Sequence, residues 1–178
     1  ANGVIRVSTS AYDSPQGYAP GRGGFEFNPV PGMPVKEMSS LKTSPKFNST
    51  AISHQDFIAN FSDSTLLVPG TSIPINNHIN PMDIVAEMRI LNWNYSFSDF
   101  MAMCSLTIYN TGDQSFDDLY IGLWNNTVVR NVNITPAGAG GATFYSQGGN
   151  GFVDSLNLAY CYDATGDEGF TDSYVGQV

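Results

Sequence analysis

The chain has 178 residues, with seven basic and sixteen acidic side chains for a net charge of −9, and its charged residues make up only 13%. That length suits one domain, or one domain with an extended arm, and suffices to bury a hydrophobic core. A field of this sign repels phosphate backbones and excludes nucleic-acid partners, and no apolar run nears the ~20 residues of a membrane span.

With so little charge the surface must be built from Asn, Ser, Thr and Gly, a composition common outside the cell. The charge is also uneven. Residues 1–46 hold Arg6, Arg22, Lys36, Lys42 and Lys46 against three acids, a balance of +2, whereas residues 47–178 hold Arg89 and Arg130 against thirteen acids, a balance of −11. The sequence divides accordingly into an N-terminal strand and arm over 1–46 and a domain over 47–178.

Val4–Tyr12 reads as a strand, and the stretch after it as an extended arm with a short strand near Phe25–Phe27. Ser14-Pro15, Pro20-Gly21, Gly23-Gly24 and the prolines from Pro29 to Pro34 exclude helix there. Residues 47–81 keep this texture, with turns at Val68-Pro69-Gly70 and Asn80-Pro81, and Ser53–Phe61 has room for one helical turn. From Met82 the pattern sharpens. Met82, Ile84, Ala86, Met88 and Ile90 alternate with polar residues, and the apolar parity then flips to Leu91, Trp93, Tyr95 and Phe97. That predicts one long strand over most of 82–98 with a bulge or bend near Ile90.

Phe100–Tyr109 is apolar on both faces at its start and is expected to be a central strand, closed by a turn at Asn110–Asp113. Leu119–Trp124 is the next expected strand. Ala137–Ala142 reads as a Gly/Ala loop, Gly148–Gly151 as a turn and Phe152–Tyr162 as a further strand, and Tyr174–Val178 as the beginning of another. Strands, close-set turns and almost no helix predict an all-β fold, an antiparallel β-sandwich of jelly-roll or immunoglobulin-like type with a Pro/Gly-rich N-terminal arm. A start at Ala1 suits a mature, exported N-terminus, and an end within an apparent strand suits a longer natural chain. Cys104 and Cys161 have opposite apolar parity, which points to two small buried hydrophobes rather than a disulfide.

The segments Ser53–Asp56, Asn60–Asp63, Val68–Thr71, Trp93–Asp99 and Asp118–Trp124, with Tyr162–Asp167 and Asp172–Tyr174, carry a resemblance. Across most of residues 50–178 the chain resembles the N-terminal portion of large exported proteins of the Bacteroidetes–Chlorobi–Ignavibacteria lineage. Many of those carry a C-terminal type IX secretion sorting domain. The resemblance implies secretion, and its motifs are structural rather than catalytic.

Candidate chemistry is sparse. His54 and His78 are the only histidines, and His54-Gln55-Asp56 is the closest grouping to a catalytic one; a loop hydrogen bond suits His54 better. Glu87 with Trp93 and Tyr95 is the one combination that would suit glycoside hydrolysis. Asp163, Asp167 and Asp172 on a glycine-containing loop form a candidate calcium site, since calcium takes 6–8 oxygen ligands; Asp113, Asp117 and Asp118 form a second acidic turn. A solvated acidic loop is the other reading of both. Asn48, Asn60, Asn94, Asn125 and Asn133 each begin an Asn-x-Ser/Thr triplet, and Ser64 and Ser155 follow aspartates in the way the resembled lineage uses for O-glycosylation.

Together these residues suggest a non-enzymatic extracellular or cell-surface structural module. It is expected to self-associate into a homopolymer, filament or sheath by donating Val4–Tyr12 to a neighbour's open sheet, the other reading of that segment being that it folds back and pairs on its own sandwich. The alternative is a carbohydrate-binding or carbohydrate-processing module that stacks glycans on Trp93, Tyr95, Trp124 or Tyr145. The two part on whether those aromatics are exposed.

Overall fold

The computed structural model describes residues 6–9, 25–75, 78–123, 125, 127–131, 148–164 and 170–178. The chain forms two compact units, Ala1–Tyr120 and Ile121–Val178. Both are antiparallel β-structure, and the one helical element among the described residues is a single 3-10 turn. No helix among them is long and apolar enough to cross a membrane.

The first unit holds a five-stranded sheet built from β1 (Asn28–Pro29), β2 (Lys36–Met38), β3 (Gln55–Ser62), β4 (Ile84–Asn92) and β5 (Met103–Asn110). Its order is β1-β3-β4-β5, with β2 also paired to β3. Ser53–Phe61, expected to leave room for a helical turn, instead gives β3, because Phe57, Ala59 and Phe61 alternate with Asp56, Ile58 and Asn60.

The register fixes which side chains share a face. Phe57 pairs with Ile90 and Ile90 with Cys104; Ala59 with Met88 and Met88 with Leu106; Phe61 with Ala86 and Ala86 with Ile108. Along its middle that face is apolar from β3 to β5, with Gln55, Asn92 and Asn110 at its ends and Glu37 of β2 beside Phe57. The opposite face carries Asp56, Asn60, Glu87, Arg89, Ser105 and Thr107 among its residues. The buried apolar residues of this unit, Met38, Val68, Ile75, Ile84 and Ala86, are few, and most of the apolar face is half-buried or exposed.

The bulge expected near Ile90 is absent. Both ladders of β4 run without a break, from Ser62↔Val85 to Gln55↔Asn92 on one side and from Ile84↔Asn110 to Leu91↔Met103 on the other. The change of parity marks the end of the strand. The chain leaves the sheet after Asn92; Trp93 is irregular, and Tyr95 and Phe97 lie in a turn closed by Ser98 N–H to the Tyr95 carbonyl at 2.9 Å. The phenylalanine-to-tyrosine segment expected as a central strand is β5, and it is an outer one.

The second unit is a three-stranded sheet, β6 (Gly148–Val153), β7 (Leu158–Asp163) and β8 (Tyr174–Gln177), in that order. The turn expected at Gly148–Gly151 is part of β6. The hairpin turns instead at Asp154–Leu156, a 3-10 turn followed by Asn157 at φ 50°, the left-handed region that asparagine tolerates better than most residues. Leu119–Leu123, expected as a strand, is irregular, and Trp124 lies outside the described residues. The strand expected at Val4–Tyr12 is not seen over Arg6–Thr9; its other residues also lie outside the described ones.

Candidate interaction surface

The two edges of the first unit's sheet are treated differently. On the outer side of β3 sit two very short strands, one of them containing Pro29, which donates no hydrogen bond. Proteins commonly blunt an edge in this way. The other edge is β5, and among the described residues no strand pairs with its outer side. β5 reads Met-Cys-Ser-Leu-Thr-Ile-Tyr-Asn, with no charge, proline or glycine. Only Ile108 of the eight is half-buried, while Met103, Leu106 and Tyr109 are 52%, 47% and 46% exposed. An uncharged outer strand with exposed apolar side chains is the feature that pairs with other strands. Cys104 lies on it as an exposed free thiol, so its expected burial is overturned by the strand's edge position; Cys161 is half-buried and also free.

Three polar clusters brace this unit. Asp56, fully buried, accepts hydrogen bonds from the amides of Ile52 at 2.9 Å and Ser53 at 2.8 Å, from the Ser53 hydroxyl and from the Arg89 guanidinium. Burial pushes its carboxyl upward, but hydrogen bonds from Ser53, Ile52 and Arg89 outweigh that and hold its pKa at about 2, below the usual 3.8. Asp63, also fully buried, accepts from Met82 N–H at 2.8 Å, Ile84 N–H at 2.9 Å and the Ser8 hydroxyl at 2.6 Å. Arg6 donates to the Pro81 carbonyl at 2.9 Å, so the N-terminal residues 6–9 are tethered to their own unit at two points. His54 accepts the Asn94 N–H on Nδ1 at 3.1 Å, and Asp56 is committed to Ser53 and Arg89, so His54 and Asp56 serve separate loops.

The remaining sequence candidates are scattered. Asp163 is buried with its carboxylate oxygens 3.4 Å from Arg130 Nη1, so a cation there competes with a guanidinium; Asp172 is exposed and Asp167 lies outside the described residues. No group of three or more His, Cys, Asp or Glu gathers among the described residues. Ser64, Ser155, Asn94 and Asn125 are exposed, Asn48 and Asn60 are half-buried, and Asn133 lies outside. Asn48 Oδ1 accepts from Thr50 N–H at 2.9 Å and from its hydroxyl at 2.7 Å. Of the stacking candidates, Trp93 is half-buried and Tyr95 is 47% exposed, its ring packed against Phe97 at 5.4 Å and His54 at 4.8 Å. Trp124 and Tyr145 lie outside.

The second unit carries a cleft of about 410 Å³, lined by Tyr160 and Tyr162, strand glycines, and Asn125, Thr127 and Gln177. Sequence reasoning passed over these tyrosines. Their signal was the Gly-x-Gly of 149–151 set against the Tyr-x-Tyr of 160–162. No protein-family model, curated protein or solved structure matches the chain.

Proposed function

We propose that this chain is a non-enzymatic extracellular structural module that assembles with copies of itself through strand contacts, in a surface layer, filament or sheath. The observation that carries the reading is β5, an uncharged outer strand exposed at Met103, Leu106 and Tyr109 while the opposite edge is blunted. The occupant is the N-terminal segment Val4–Tyr12 of a second copy, released from its tethers at Pro81 and Asp63. Such a contact is head-to-tail and need not close, so its product is a filament. The half-buried apolar face of Phe57, Phe61, Met88 and Ile90 supports the sandwich architecture, because a face of that composition is stable only under a second layer.

Negative-stain microscopy and light scattering test the reading. The intact chain is expected to form long polymers at high concentration. Leu106→Lys sets a charge on the open edge at a half-exposed position and is expected to leave a folded monomer. Deleting residues 1–12 removes the donor and is expected to abolish polymers, whereas Arg6→Ala with Ser8→Ala frees it and is expected to raise the polymer fraction. Polymers that persist in the deletion variant, or an intact chain that stays monomeric, overturn the proposal.

A further inference from the structure

The register of the second unit gathers its tyrosines on one face. Tyr162 lies opposite Gly149 on β6 and Tyr174 on β8; Tyr160 lies opposite Gly151 and Gly176. Glycine there is a steric requirement. A Cβ on Gly149 would meet Tyr162 Cζ at 2.5 Å, Oη at 2.8 Å and Cε1 at 2.9 Å, and one on Gly151 would meet Tyr160 Cε1 at 2.9 Å. The outer ends of both rings therefore reach over the neighbouring strand, so the rings lie across the sheet rather than standing up from it. Tyr160 and Tyr162 have centroids 6.0 Å apart and planes 31° apart; Tyr174, 66% exposed, stacks on Tyr162 at 5.6 Å and 29°.

We propose that this face binds a neutral glycan chain, a function separate from the assembly edge of the first unit. Tyrosine rings laid flat offer π faces, which attract the C–H-bearing face of a pyranose, and each ring adds a hydroxyl that both donates and accepts. Every side chain the register sets on this face is uncharged: Val153, Leu158, three tyrosines and three glycines. A charged ligand finds no counter-charge there. Gln177 pairs with Ala159 and so lies on the opposite face of the sheet, and the cleft it lines with Asn125 and Thr127 is no part of this surface. The tyrosine hydroxyls carry donor and acceptor together, as sugar hydroxyls do; a proline-rich peptide, the other partner of aromatic grooves, offers chiefly carbonyl acceptors.

The test uses the intact chain in native gels cast with soluble neutral polysaccharides (β-glucan, xylan, dextran, starch) and in pull-downs on cellulose and chitin. Retardation or retention by at least one of these is expected. Tyr174→Ala, at an exposed position, is expected to weaken binding about tenfold with an unchanged melting curve, the loss appropriate to one stacked ring. Tyr162→Ala should do the same and Tyr162→Phe should retain most of the binding. Retention by none of the neutral polysaccharides overturns the inference. So does binding confined to heparin or alginate, binding of a polyproline peptide instead, or binding that survives both alanine substitutions.

Discussion

Arg89 on β4 sets its Nε 3.1 Å from Oδ2 of Asp56 on β3, and its Nη2 donates to the Thr50 carbonyl at 2.9 Å. One guanidinium thus ties two strands to the loop that precedes them. The carboxylate is fully buried, so its charge is tolerated only because every approach to it is a donor.

This arrangement gives the first unit an acid limit. The folded carboxyl of Asp56 sits at about 2 against an ordinary 3.8, so its contribution is complete above pH 4 and is lost as the pH falls through 2. The shift corresponds to about 2 kcal/mol. Melting curves from pH 5 to pH 2 are expected to show that loss, and Asp56→Asn is expected to flatten it.

Asp63 makes a larger demand. Its carboxylate satisfies the amides of Met82 and Ile84 and the Ser8 hydroxyl. Asp63→Ala strands two amides and is expected to cost about 2–4 kcal/mol in denaturant unfolding, with Asp63→Asn losing less. Equal stability of Asp63→Ala and the parent would contradict the geometry.

Asn157 closes the β6–β7 hairpin at φ 50°. A β-branched residue fits that region poorly, and Asn157→Val is expected to lower the stability of the second unit by about 1–2 kcal/mol, while Asn157→Gly leaves it equal or higher. Amide exchange across Gly148–Asp163 reads the effect without interference from the first unit.

Cys104 reports on the open edge directly. As an exposed thiol on β5 it is expected to react with a thiol reagent faster than half-buried Cys161 in dilute solution. In concentrated, assembled material Cys104 should become protected while Cys161 keeps its rate. Unchanged labelling of Cys104 across that range argues against pairing at this edge.

The all-β character was legible because Ile84–Ile90 alternates cleanly, whereas β3 was not, since Ile58 interrupts the alternation of Phe57, Ala59 and Phe61 with polar residues. Nor was the position of β5. A strand apolar on both faces reads as buried, and nothing local distinguishes one buried within its own unit from one awaiting a partner. Gly148–Gly151 misled for a different reason: glycine usually marks a turn, but here it makes room for tyrosine rings whose partners are fixed only by the register. The actual turn contains no glycine and rests on Asn157, an inconspicuous asparagine in an asparagine-rich sequence. The tyrosine face was missed on the same account, since residues 149–151, 160–162 and 174 meet only across strands.

The difference between the two connections sets an order of folding. β6 and β7 are joined by residues 154–157 alone, so their contacts are local and little chain entropy is lost in making them. β3 and β4 must close across residues 63–83, and β1 must find Phe61 and Ser62 from a comparable distance. The hairpin is therefore expected to zip first and the larger sheet to follow more slowly. Until that sheet closes, its apolar strands remain the stretch most in need of protection from neighbouring unfolded chains.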